Sequence, residues 1–166
     1  VWTRHIVPLP KKIQMNEKVT LEANKVHIAS DRNAGPLIEQ AVKELVECLG
    51  LTENQPAGSG FMLLLQLGGK ESATLDKLPN RNQAYLIQPI EGGKGLLMVG
   101  REPHGLYYAA KTIQQLIKAG LQNGQVQLPL VTITDWPDMQ DRGFWGADSF
   151  NRLRWMSDRK MNIDEQ

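Results

Sequence analysis

Residues 103–120 read Pro-His-Gly-Leu-Tyr-Tyr-Ala-Ala-Lys-Thr-Ile-Gln-Gln-Leu-Ile-Lys-Ala-Gly, and the spacing of their apolar members decides the fold. Leu106, Ala110, Ile113 and Ile117 recur at steps of three and four, with Ala109 and Leu116 beside them. That period predicts an amphipathic α-helix starting near Pro103 and ending before Gly120. A helix with one apolar stripe needs a surface to cover. A second is predicted from about Pro36 to Leu49, with Ile38, Ala41, Leu45 and Leu49 on one face. Pro36 suits a first helical position and Gly50 a C-terminal stop.

Strands supply the surface. Phe61-Met62-Leu63-Leu64-Leu65 reads as a strand buried on both sides, or nearly so. Tyr85-Leu86-Ile87 and Leu96-Leu97-Met98-Val99 flank Gly92-Gly93-Lys94-Gly95, a hairpin signal. Val126 to Ile133 is a further strand, and Pro129 inside it implies an edge position or an irregularity. Ile6-Val7-Pro8, Val19 to Leu21 and Val26-His27-Ile28 read as short strands ahead of the first helix. The order strands, helix, strand, hairpin, helix, strand predicts an α+β fold. Its form is a two-layer sandwich, with two helices on one face of a mostly antiparallel or mixed sheet.

At Asp135-Trp136-Pro137-Asp138 the character of the chain changes. Trp136-Pro137 favours an extended or turn geometry. Beyond it, Asp141 to Gly146 reads as a short strand, and Asp148 or Ser149 can cap a helix from Phe150 to Met161. One strand and one helix cannot bury Trp145, Phe150 and Trp155, so this segment reads as the first unit of something larger. The predicted division is an α+β domain over residues 1–134, then a connector and the start of a second structure over 135–166. After about Asp138 the apolar face is expected to lack its cover, leaving the segment poorly supported or open to self-association.

Nineteen basic and 18 acidic residues are interspersed, for a net charge of +1, which favours neither nucleic acid nor an anionic membrane as a partner. The longest apolar runs, Phe61 to Leu65 and Leu128 to Ile133, are too short to span a bilayer. Cys48, the only cysteine, excludes an internal disulfide and a cysteine-based metal site. It falls on a helical apolar stripe, where packing outweighs reactivity. His5, His27 and His104 are dispersed, so no metal site is expected. Gly68-Gly69-Lys70 and Gly93-Lys94 lack the rest of a phosphate loop, and Gly58-Ser59-Gly60 is a turn rather than a nucleophile elbow. No cofactor is expected.

Several short motifs occur in a fixed order: Ile6-Val7-Pro8-Leu9-Pro10-Lys11, then Gly105 to Leu116 behind a strand ending in Gly100-Arg101, then Leu128-Pro129, Asp135-Trp136-Pro137, Arg142-Gly143 and Lys160-Met161-Asn162. As a set they resemble the N-terminal accessory domain of family-20 glycoside hydrolases, the β-N-acetylhexosaminidase-like enzymes. The resemblance runs on through the connector into the first strand and helix of their (β/α)8 TIM barrel. Where that family usually has an Asp five residues after the barrel Arg, this chain has Ala147, with Asp148 one residue later. Arg142-Gly143-Phe144-Trp145-Gly146 is also similar to the hyaluronidase-like family-84 enzymes, which carry a similar accessory domain, though the expected Glu-Gly is missing.

The resemblance implies a parent that cleaves terminal β-N-acetylhexosamines from glycans by substrate-assisted retention. The acetamido oxygen attacks, a paired Asp orients it and a Glu protonates the leaving oxygen. That Asp-Glu pair belongs to a later barrel strand. Asp164-Glu165 here lacks its histidine and glycines, and 25 residues follow Asp141, against the roughly 250 of a full barrel. No catalytic residue is therefore expected in this chain, which by itself should not be an enzyme. By the same resemblance Arg142 would hydrogen-bond sugar hydroxyls in the full-length parent, work that suits a planar guanidinium fork. The bland alternative is a solvated arginine beside Asp141 or Asp138. The implied partners are the protein's own catalytic barrel and, through it, a glycan, in an extracytoplasmic compartment. Two other readings stay open. A carbohydrate-binding domain needs exposed aromatics, and the middle of the domain offers Phe61, Tyr85, Tyr107 and Tyr108; the other is a small hydrolase in its own right.

Overall fold

Both predicted helices form, α1 at Pro36–Cys48 and α2 at Pro103–Gly120, and their apolar stripes enter one shared core. The structure is a computed structural model that describes residues 2–31, 35–54, 60–145 and 150–165. The side chains at 144, 145, 150, 151 and 163–165 are outside the description. Ala147, Asp148 and Ser149 lie outside the described residues, as do Gly58 and Ser59.

The sheet under the helices contains β1 (Lys12–Glu22), β2 (Val26–Ser30), β3 (Phe61–Leu67), β4 (Tyr85–Pro89), β5 (Gly95–Gly100), β6 (Leu121–Gln122) and β7 (Gln125–Asp135). Its order is β1-β7-β4-β5-β3-β2, with β6 paired to the start of β7. β2, β3 and β5 run parallel, β4 pairs antiparallel with β5 and β7, and β1 antiparallel with β7, so the sheet is mixed as expected. α1 is the crossover between β2 and β3, and α2 the crossover from β5 to β7 over the intervening β4. The first turn of α2 sits close on the sheet because two glycines permit it. A Cβ at Gly105 would collide with the Ala84 carbonyl, and one at Gly100 with the Leu106 backbone nitrogen.

β3 is closed on one side and half-covered on the other. Phe61, Leu63 and Leu65 are buried with the helices, while Met62 and Leu64 alternate to a half-buried face. Residues 71–83 cover part of that second face with a short 3-10 turn at Glu71–Leu75. Leu75, Ala84, Leu86 and Val99 form a second, smaller cluster there, with Trp136 packed against it.

Three local expectations need correction. Ile6-Val7-Pro8 is not a strand: prolines 8 and 10 remove ladder donors, and the Gln115 side chain takes both Val7 backbone groups at 2.9 Å. The strand around Val19 to Leu21 is much longer, because Ile13 and Met15 continue the inward alternation behind polar outward residues. The third helix ends earlier than predicted. Pro129 lies at the register shift between Met15 and Lys18 of β1, the irregularity its presence implied.

After the connector come β8 (Gly143–Trp145), α3 (Phe150–Asp158) and β9 (Ile163–Glu165), with β8 and β9 paired in parallel as a separate two-stranded sheet. This segment finds partial support in its own chain. Met156 and Lys160 are buried against the rest of the molecule, while Leu153 and Trp155 on α3 stay 46% and 40% exposed. The sequence hid the reason, since the contact is polar.

Candidate functional site

Three side chains one helical turn apart on α2, Tyr107, Lys111 and Gln115, line up along one edge and face α3. Lys111 is the centre. Its ammonium meets Glu44 Oε2 of α1 at 2.8 Å and Asp158 Oδ1 at the end of α3 at 3.2 Å. It also lies 5.3 Å from the centre of the Tyr107 ring. The Tyr107 hydroxyl reaches Ser157 Oγ at 2.9 Å and donates to Glu44 Oε1 at 3.2 Å. Gln114 Nε2 donates to Glu44 Oε2, and Gln115 Nε2 donates to the Asp158 carbonyl as well as to Val7. Two carboxylates, one ammonium and two amides thus tie α1, α2, α3 and the N-terminal segment together.

The pKa shifts follow from this geometry. Burial alone would depress the Lys111 ammonium, but the hydrogen bond to Glu44, the Tyr107 ring beside it and the contact with Asp158 outweigh that and hold it above its ordinary value. Burial alone would raise the Glu44 carboxyl, but hydrogen bonds from Lys111, Gln40 and Gln114 hold it below its usual range.

A second buried lysine anchors the other end of the seam. Lys160 closes α3 with a left-handed backbone (φ 58°), a conformation costly for a residue with a Cβ. Its ammonium donates to the Tyr85 hydroxyl at 2.9 Å, and Asp135 Oδ2 is 3.8 Å away. Tyr85 in turn shares a 2.7 Å hydrogen bond with Thr112 of α2. Here burial wins: despite Asp135, and with Arg142 adding repulsion, Lys160 is brought down to about 8.

Arg142 holds the backbone around this lysine. Its Nη2 and Nε donate to the Lys160 carbonyl at 2.6 and 3.2 Å, and Nη1 to the Met139 carbonyl at 2.6 Å. Its guanidinium carbon stands 5.6 Å from the centre of the Tyr108 ring. So the arginine singled out by the sequence lies half-buried at the foot of β8, occupied with main-chain oxygens. Asn162 completes the clamp: its Oδ1 accepts the Arg142 N–H at 2.8 Å, its Nδ2 donates to the Gln140 carbonyl, and its own N–H donates to the Arg142 carbonyl.

The motifs quoted from the sequence therefore converge. Val7, Gln115, Asp135, Arg142, Lys160 and Asn162 meet along one seam, although they are spread over 156 positions. Lys111 and Glu44 went unremarked as site residues, and Tyr107 was weighed only as a stacking aromatic, since their partners on other elements lie 47 to 70 positions away. An i, i+4 row of polar residues on an otherwise apolar helix is the signal that could have found them.

Other candidates do not assemble. Among the described residues no group of three or more His, Cys, Asp or Glu could hold a metal ion, and no helix is long and apolar enough to cross a membrane. Cys48 Sγ lies 3.5 Å from the Gln114 carbonyl, and burial pushes its thiol up, as packing predicts. Phe61, Tyr85 and Tyr108 are buried, so they make no stacking platform. The side chains of Asp164 and Glu165, like those of Trp145 and Phe150, lie outside the described residues. Trp155 is exposed, with Arg159 above its ring at 3.9 Å.

Residues 3–136 match the family described as glycosyl hydrolase family 20, domain 2. A β-hexosaminidase of Porphyromonas gingivalis is 23% identical over 171 residues, covering 96% of this chain and 20% of that protein. Among solved structures, a family-20 exo-β-N-acetylglucosaminidase from Vibrio harveyi, in complex with N-acetylglucosamine, has a TM-score of 0.72 at 19% identity, covering 98% of this chain and 25% of its own. A chitobiase from Flavobacterium johnsoniae gives 0.65 at 16% identity, over 96% and 26% of the two chains. The structure named CpGH84B gives 0.64 at 21% identity, over 96% and 29%. The chain spans about a fifth of the length of that curated relative. The structural likenesses reach past the connector and bear on the fold.

Proposed function

The chain belongs to the glycosyl hydrolase family 20, domain 2 family, and we propose on that premise that it is the accessory part of a longer glycosidase, non-catalytic in itself. Residues 1–134 are the accessory domain in this reading, and 135–166 are the connector and the first β/α unit of the catalytic barrel. The accessory domain fixes where the barrel begins. One observation carries this: α1 and α2 grip the end of α3 through Lys111, bonded at once to Glu44 and Asp158. The substrate class proposed for the longer protein is glycans ending in β-N-acetylhexosamine, supported by what the similar proteins are named for. In that protein Arg142 would meet sugar hydroxyls with the N–H that the Met139, Gln140 and Lys160 carbonyls leave unused.

Two assays test the proposal. A chromogenic N-acetyl-β-glucosaminide should not be turned over by the 166-residue chain, and measurable turnover overturns the reading. In the longer protein, Lys111→Met should shorten the half-life of hydrolysis at elevated temperature and leave kcat/KM at low temperature within about twofold. A large fall in kcat/KM with unchanged heat resistance would place Lys111 in the chemistry and remove it from the brace.

A further inference from the structure

Next to the brace, under the connector, lies a cavity of about 210 Å³. Its walls are apolar, with Leu9, Trp136, Pro137 and Met139 among them. Its floor is polar and deeply buried: Gln83, Tyr85, Asp135 and Lys160 are 5%, 1%, 7% and 3% exposed. Hydrogen bonding there is incomplete. Gln83 Nε2 donates to the Gln140 carbonyl at 2.7 Å, but Gln83 Oε1 is buried with no partner. Lys160 carries three N–H donors and uses one, on Tyr85, since Asp135 at 3.8 Å is beyond hydrogen-bond reach. Buried donors and a buried acceptor left unmet in one cavity are costly.

Charge narrows the choice of guest. Lys11 and Asp138 pair at 2.6 Å on the rim, and Lys160 faces Asp135, so Arg142 is the surplus charge and the lining carries a formal +1. Nε and Nη1 of Arg142 are engaged with carbonyls, and Nη2 gives one of its two N–H groups to the Lys160 carbonyl. A guest therefore has to accept from Lys160, donate to Gln83 Oε1, carry one negative charge and present a small apolar body to the walls. Water meets the first two demands and neither of the others. The volume corresponds to about seven waters, room for a molecule of some six to ten non-hydrogen atoms.

We propose that this cavity binds a small α-hydroxy monocarboxylate, its carboxylate on the Lys160 ammonium and its hydroxyl on Gln83 Oε1. The aliphatic remainder lies against Leu9, Pro137 and Met139.

Titration of the isotopically labelled 166-residue chain by NMR, with lactate, lactamide and acetate as probes, tests this. Lactate should bind saturably in the millimolar range, shifting the Gln83 side-chain amide and residues 135–142. Lactamide, which lacks the charge, should bind at least about tenfold more weakly. Acetate, which lacks the hydroxyl, should bind about three- to tenfold more weakly. Replacing Lys160 would strand Asp135 in a buried site and endanger the fold, so the decisive variant is Gln83→Leu. It should bring lactate down to the level of acetate and leave acetate unchanged. No saturable shift up to about 50 mM lactate, shifts centred elsewhere, lactamide equal to lactate, or a Gln83→Leu chain that still prefers lactate to acetate would each overturn the proposal.

Discussion

One helix, α2, serves two unlike regions. Toward the sheet it presents Leu106, Ile113, Leu116 and Ile117, fully buried in a core shared with α1 and β3. Toward α3 it presents Tyr107, Lys111 and Gln115, each committed to named polar atoms. Apolar contact is non-directional and roughly proportional to area, so the core supplies stability without fixing a position along the helix. Buried ion pairs add little net stability, because desolvation offsets much of the attraction, yet their bonds are satisfied in one geometry only. In this molecule the core holds α2 to the sheet, and the seam sets the position of α3.

The division of labour can be broken at the core first. Leu63 is fully buried in β3, between β2 and β5. Leu63→Ala should destabilise the whole chain by about 3–4 kcal/mol, through lost transfer energy and the cavity left behind. Urea unfolding measures this. Amide exchange in α3 should accelerate together with exchange in α2, since the seam rests on helices that the core holds. A loss below about 1 kcal/mol would mean that the sheet is not what holds α2 in place.

The seam is tested by pH, because its two lysines are shifted in opposite directions. Lys160 is brought from 10.5 to about 8. Below pH 8 it is charged in both states and the burial penalty is present in full. Between 8 and 10.5 the unfolded chain binds the extra proton, so stability rises with pH. From pH 8 to 9.5 Lys160 should contribute a gain of about 2 kcal/mol, read from parallel urea titrations of a Cys48→Ala chain at the two pH values, since the raised Cys48 thiol acts in the opposite sense there. Lys111 has the opposite sign. Its raised value gives stability that is present below 10.5 and lost above it, outside this window. A Cys48→Ala chain equally stable at pH 8 and 9.5 would show that Lys160 is not buried as a charge.

How much of this was legible follows from the same contrast. α1, α2, β3 and the β4–β5 hairpin announce themselves because apolar side chains repeat at the period of their element. The first half of β1 did not, because Lys12, Gln14, Asn16 and Glu17 dilute the alternation of Ile13 and Met15. Residues 71–83 carry few apolar side chains, and Leu75 and Leu78 cannot by themselves reveal that the segment crosses the back of the sheet. Arg142 was picked out through a resemblance, and its carbonyl partners are not written in any pattern. Lys160 reads as a surface charge until Tyr85, 75 positions earlier, is placed beside it. Periodicity is a local signal, and a polar seam has none.

The smallest test separates one seam contact from the core beside it. Tyr107→Phe removes a hydroxyl that reaches Ser157 Oγ at 2.9 Å and donates to Glu44 Oε1 at 3.2 Å, and keeps the ring beside Lys111. Glu44 still has Lys111, Gln40 and Gln114, so no buried charge is stranded. The cost should be near that of one ordinary hydrogen bond, about 1 kcal/mol. Because the Ser157 contact joins α2 to α3 and the Glu44 contact joins α2 to α1, neither to the sheet, the cost should fall on local opening of the seam. Amides of α3 should exchange about fivefold faster, while those of α2 and β3 keep their rates. Equal acceleration in all three would mean that the seam and the core open as one unit, and that the polar contacts do more than set the position of α3.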